Sequence, residues 1–244
     1  FSLSTILAFN SLSDGIRTVN QIFSENLDPT AIEFVEKKVI ALGEKFLNQE
    51  FPLPTAKAYL IVTLDGDKKG VYERLQKLKD VTIAHGLAFD SLDLDDEAVA
   101  KQVWTIRGAL ARAVKASGVW EPVDTVVPLN KIANFVDYVD KVSNDLGVRI
   151  VAFGHAGDGN VHLCIIKDEI PDNKWPEVLK ESLHLIYKKA YALGGLLSAE
   201  HGIGKSKRAF YLENVEPSER NLMLGIKKAF DEFNLLNPHD GYAE

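Results

Sequence analysis

The chain has 244 residues, 46% of them hydrophobic and 26% charged, with one cysteine and a formal net charge of −7. That composition suits a globular protein with a full core, and it excludes a disordered tail, a collagen-like fibre and a disulfide scaffold. The acidic balance argues against nucleic acid as the main partner, and no apolar stretch is long enough to span a bilayer.

In chain order, Ser2 to Phe9 reads as an apolar strand. Ser13 is expected to cap a helix whose Ile16, Val19, Ile22 and Phe23 fall on one face. After Pro29, Ala31 to Glu36 reads as a short strand and is followed by a helix through Leu47. Pro52 and Pro54 mark a loop. Ala58 to Asp65 is apolar on both faces, the pattern of a central strand. A helix near Val71 to Leu78 and a strand near Val81 to Ala84 follow.

Asp95 to Ser117 carries Val99, Val103, Ile106 and Leu110 at helical spacing and stops at Gly118. Val123 to Val127 is a strand, and Pro128 and Asn130 open a helix that ends at Gly147. Val148 to Phe153 and Val161 to Ile166 are strands joined by a glycine-rich turn. Trp175 to Leu193 is a helix, Leu196 to Ser198 a short strand and Glu219 to Phe230 a final helix. From Val123 onward the order is strand, helix, strand, strand, helix, strand, the split β-α-β pattern of ferredoxin-like folds. The first half reads the same way with one extra helix. The expected fold is α+β: an antiparallel sheet of two ferredoxin-like halves with helices mainly on one face. The whole of 1–244 reads as one domain, with lobes at 1–93 and 94–244.

Three places carry candidate chemistry. His155 and His162 flank the glycine-rich turn, and a hairpin can bring two imidazoles to one side. Imidazole suits zinc, manganese or iron, and a third carboxylate ligand with one open position makes a catalytic site. The same pattern also fits two histidines satisfied within an ordinary hairpin. Glu200-His201 precedes Gly202-Ile203-Gly204, which reads either as a catalytic edge or as a helix cap. Lys205 and Ser206 complete a loop that only superficially resembles a phosphate loop, because its upstream glycine is missing. Arg107 shares a helix face with Trp104 and either aims its planar fork at a carboxylate or lies along the surface.

Together the stretches VWTIR (103–107), DTVVP (124–128), FGHAGDGNVHL (153–163), GGLLSAEHGIGKSKRAFY (194–211) and LLNP (235–238) resemble the C-terminal domain of FAD-linked oxidases of the vanillyl-alcohol oxidase superfamily. The branch resembled contains D-lactate dehydrogenase, glycolate oxidase and D-2-hydroxyglutarate dehydrogenase. The opening strand, with Pro29 before Glu33 and Glu36, is similar too. The resemblance implies a divalent-metal site at His155, His162 and Glu200, a general base at His201 and a substrate-carboxylate clamp at Arg107. It also implies that Asn160, Gly202 and Asn237 face the cofactor. The implied reaction oxidises a small 2-hydroxy acid to a 2-oxo acid, with hydride passing to FAD.

Departures bear on the substrate. Relatives tend to carry glutamate where this chain has Gly108, and asparagine where it has Cys164. Ala111 stands at a hydroxyl position of the hydroxyglutarate branch, and Pro122 at the lysine position. These losses favour a monocarboxylate such as D-lactate or glycolate.

The resemblance further implies a partner, an N-terminal FAD-binding domain, that these residues do not include. The chain opens at Phe1 without an initiator methionine, as expected of a segment of a longer flavoenzyme that is inactive alone. An electron-transfer protein is a further expected partner. The single thiol and the lack of a spanning segment suggest the cytoplasm, with peripheral contact at the inner membrane face as a variant. Two other classes stay open: a stand-alone metal hydrolase using the same three ligands, and a non-catalytic binding module.

Overall fold

Alternating apolar stretches build the sheet, and amphipathic helices cover it. The computed structural model describes residues 1–84 and 87–238. The first half runs β1 (Ser2–Phe9), α1 (Leu12–Ser24), β2 (Ala31–Glu36), α2 (Lys37–Leu47), β3 (Ala58–Asp65), α3 (Lys68–Ala84) and β4 (Asp90–Asp93). Helix α4 (Glu97–Ser117) leads to β5 (Trp120–Val126), a short 3₁₀ turn, α5 (Ile132–Leu146), β6 (Arg149–His155), β7 (Asn160–Ile166) and α6 (Trp175–Ala192). Two further helices, α7 (Arg208–Asn214) and α8 (Pro217–Phe230), follow.

Among the described residues, seven strands form one antiparallel sheet in the order β4-β1-β3-β2-β6-β7-β5. The first half contributes β4-β1-β3-β2 and the second β6-β7-β5. A lone bridge from Val126 to Leu196 extends the second half beyond β5. The halves meet where β2 pairs with β6, through Glu33↔His155, Phe34↔Gly154 and Val35↔Phe153. Strand β3, apolar on both faces, lies inside the sheet between β1 and β2, as its pattern predicts.

Helices α1, α3, α5 and α6 pack on one face over Leu7, Phe34, Leu60 and Leu163. On the other face α2 and α4 cover Ile6, Val35, Tyr59, Ile61 and Phe153. Val103, Ile106 and Leu110 of α4 are fully buried there. Each contributes about 1.5–3 kcal/mol by leaving water, and together they fix which side of α4 faces the sheet. Arg107, next to Ile106, is thereby held at the edge of that buried stripe.

Four local readings change. The strand expected at Val81 to Ala84 is the last turn of α3, because Val71, Leu75, Leu78 and Thr82 keep helical spacing and are buried. The edge strand is β4 instead. Ser11, not Ser13, caps α1, since its hydroxyl accepts the Asp14 amide at 3.1 Å. Phe23 at the end of α1 is exposed. The strand expected at Leu196 to Ser198 reduces to the single bridge, because the backbone beyond Ser198 turns to bond Asp124.

Helix α8 has no buried residue. Its Leu222, Ile226 and Phe230 are exposed, as are Phe233, Leu235 and Leu236 just beyond it. No helix is long and apolar enough to cross a membrane among the described residues.

Candidate active site

Sheet register brings the candidate residues together on the face covered by α2 and α4. One row crosses four strands as Asp124–His162–Phe153–Val35, and the next reads Val126–Asn160–His155–Glu33. Alternation along each strand then sends Asp124, His162, Asn160, His155 and Glu33 to one side. His155 and His162, seven residues apart in sequence, have ring centroids 5.2 Å apart and nearly perpendicular planes.

The loop after Leu196 supplies the rest. At Gly195 a Cβ would meet the Val126 carbonyl oxygen at 2.1 Å, so only glycine permits this approach to β5. Past the bridge, Asp124 captures the chain. Its Oδ2 accepts from the amides of Ala199 (3.0 Å), Glu200 (2.9 Å) and His201 (2.8 Å), and from the Ser198 hydroxyl (3.1 Å). Lys207, buried, donates to Ser198 Oγ at 3.0 Å and lies 3.8 Å from the same carboxylate oxygen. Burial pushes the Asp124 carboxyl up, but the amides of His201 and Glu200 and the nearby positive charges outweigh it and hold it below its ordinary value. Burial likewise lowers Lys207, against the pull of Asp124 and Glu121.

This anchoring sets Glu200 and His201 over the sheet. Glu200 Oε1 lies 3.3 Å from His162 Nε2 and 3.8 Å from His201 Nε2. The His162 and His201 rings stack with centroids 5.4 Å apart. Asp124, His162, Glu200 and His201 each offer an atom within 4.8 Å of the others, a spacing that a single cation can span. His162 Nδ1 and Asp124 Oδ1 are buried without a hydrogen-bond partner. Burial lowers the His162 pKa against the pull of Asp124 and Glu200, which favours the neutral ring that a metal needs.

His155 stands beside this group. Its Nδ1 is 2.7 Å from Glu33 Oε1, and that bond raises the His155 pKa against burial. With Nδ1 engaged, the ring has Nε2 to offer. Burial acts to raise the Glu33 carboxyl, but His155 and the Arg107 charge together hold it below its ordinary value. Arg107 donates to Glu33 Oε2 through Nε at 3.1 Å and also through Nη2. The guanidinium lies 5.2 Å from the centroid of the Phe153 ring. A cavity of about 300 Å³, lined in part by Thr30, Glu33, His155 and Asp158, opens beside this pair.

Arg107, His155, His162, Glu200 and His201 therefore converge, although four separate segments carry them. Asn160 is buried with its Oδ1 unpartnered, Gly202 is exposed on the loop, and Asn237 is exposed near the described C-terminal end.

The family described as FAD linked oxidases, C-terminal domain, matches residues 3–240. The chain belongs to this family. Among relatives of this FAD-linked oxidase domain, D-lactate dehydrogenase of Anaerostipes hadrus is 35% identical over 242 residues, covering 97% of the chain and 51% of the relative. The glycolate oxidase subunit GlcD of Bacillus subtilis (strain 168) is 27% identical, covering 98% and 51%. The chain spans about half the length of these curated relatives. In fold it is similar to p-cresol methylhydroxylase with substrate bound, at a TM-score of 0.69 and 11% identity, over 97% of the chain and 52% of that structure.

Sequence reasoning missed three residues of this FAD-linked oxidase domain that hold the site together. Asp124 and Glu33 lie in stretches that carry the family resemblance, but no role for them is evident there. The available signal was alternation: each is a carboxylate on the apolar face of a strand, where an unpaired charge is costly. Lys207 had no comparable signal, since a lysine in a lysine-rich loop ordinarily faces water.

Proposed function

We propose that this chain is the substrate-binding part of an FAD-dependent 2-hydroxy-acid oxidoreductase. The observation that carries the reading is the convergence of His155, His162, Glu200 and His201 beside Arg107 on one face of the sheet. His155, His162 and Glu200 would hold a divalent metal, zinc, manganese or iron. His162, the second ring nitrogen of a Glu33-bound His155 and the Glu200 carboxylate are the donor types such an ion takes, and His162 and Glu200 belong to the cluster whose atoms lie within 4.8 Å of one another. A metal bound there supplies Lewis-acid polarisation of the substrate hydroxyl.

The chain's own residues do the rest. Arg107 binds the substrate carboxylate and fixes the α-carbon. His201, on a loop pinned by Asp124, takes the hydroxyl proton. FAD, when bound, supplies the hydride acceptor. Three features of the chain suit a flavin bound by the part of the relatives that it does not span. Asn160 Oδ1 is unpartnered, Gly202 is open enough that a Cβ would touch nothing within 4 Å, and α8 presents an apolar face. An electron-transfer protein is the proposed acceptor from the reduced flavin.

A monocarboxylate, D-lactate or glycolate, is the proposed substrate. Pro122 provides no side-chain donor, Ala111 no hydroxyl, and Cys164 is buried. The test is flavin reduction in the complete polypeptide. D-lactate or glycolate should bleach the flavin faster than D-2-hydroxyglutarate, and a chelator should suppress bleaching. A flavin that no 2-hydroxy acid reduces would overturn the reading.

A further inference from the structure

We infer that Glu33 is a positioning residue that couples the substrate clamp to the metal ligand, by sharing one carboxylate between Arg107 and His155. This rests on the proposed function. Glu33 faces His155 across the β2–β6 pairing, at the seam of the two halves. Its two oxygens divide the work: Oε2 accepts from Arg107 Nε and Nη2, and Oε1 bonds His155 Nδ1 at 2.7 Å. The side chains of Arg107 and Glu33 are only 14% and 12% exposed.

Two consequences follow from this geometry. On His155, engagement of Nδ1 by a carboxylate fixes the tautomer and would leave Nε2 as the ligating nitrogen. On Arg107, the Nε–Nη2 edge is occupied, so the Nη1–Nη2 edge is the one left for a substrate carboxylate. The guanidinium also lies over the Phe153 ring, 5.2 Å from its centroid. Stability alone is a poor reason for such a buried bridge, because well-packed apolar residues serve equally well. Glutamine cannot replace it. Its amide has one acceptor oxygen, whereas Arg107 and His155 both present donors.

The experiment uses the complete flavoprotein, with zinc titration and D-lactate kinetics as separate readouts. Glu33→Gln should weaken zinc binding about 10–100-fold. It should also raise the KM for D-lactate about tenfold or more, a larger change than in kcat. In an Arg107→Met background the same substitution should add nothing further to KM, the signature of a coupled pair. Glu33→Asp, which keeps both acceptors, should recover part of the zinc affinity. A merely structural Glu33 would lower the melting temperature and leave zinc affinity and KM unchanged, and that result overturns the inference alone. If the parent protein binds no zinc, manganese or iron, the proposed metal site fails and the inference falls with it.

Discussion

The Asp124 carboxylate accepts the backbone amide of His201 at 2.8 Å, across 77 residues of sequence. One buried oxygen thus fixes the position of the proposed base without touching its imidazole. Asp124→Ala strips partners from three consecutive amides and takes from the buried Lys207 the carboxylate 3.8 Å away. The expected loss is about 3 kcal/mol or more. Urea unfolding should show it as a lower midpoint, together with at least a tenfold fall in kcat. Full activity in a folded Asp124→Ala protein would mean that the loop is held by something else.

His201 itself should matter to the chemical step. His201→Asn removes the proposed base while Asp124 still anchors the loop through backbone amides. Flavin reduction by D-lactate should slow by about 10²–10⁴-fold with KM little changed, as stopped-flow bleaching can measure.

Glu36 makes a pH prediction away from the site. It is buried, and its Oε2 accepts the Ala152 amide at 2.8 Å. Burial pushes its pKa up from 4.5 to about 7. Between those values the native state keeps a proton that the unfolded chain has released. Stability therefore falls as pH rises through that window, by up to about 1.4 kcal/mol per pH unit, and levels off above it. Glu36→Gln keeps the acceptor for Ala152 and removes the titration. Unfolding curves at pH 5 and pH 8 should differ less in the variant than in the parent, with the variant the more stable of the two at pH 8.

Gly154 tests the seam between the halves. A Cβ there would sit 2.4 Å from the Asn160 carbonyl oxygen and 2.9 Å from the Phe34 ring. Gly154→Ala must push β6 away from β7 or displace Phe34, at a cost of about 1–3 kcal/mol. Calorimetry should record a lower melting temperature. An unchanged value would indicate that the strands part without penalty.

Much of the fold was legible because its signals are local. Short apolar runs marked β1, β2 and β3, and helical spacing with Gly118 and Gly147 marked the ends of α4 and α5. The element order also predicted both split β-α-β halves apart from the last strand of each, which lies at Asp90–Asp93 in the first and reduces to one bridge in the second. Failures came where tertiary contacts override a short pattern. Val81 to Ala84 suits a strand by composition, yet Thr82 is buried in α3 and bonds the Leu78 carbonyl. Leu196 to Ser198 looks apolar enough for a strand, yet Asp124 pulls the following backbone away. At the site, the histidines and Glu200 stood out through their glycine-rich surroundings. Glu33 did not, because its meaning depends on Arg107 and His155, 74 and 122 residues away.

The β2–β6 seam has a consequence for how the protein is made. Glu33 comes from the first half of the chain, His155 and His162 from a hairpin of the second, and Glu200 and His201 from a loop later still. No emerging length of chain that stops short of His201 contains the full set. Contacts this distant in sequence carry a loop-closure cost that local contacts do not. Each half can order its own strands first, but the Glu33 bridge from Arg107 to His155 closes only when the two halves join edge to edge, so that bridge reports the joining.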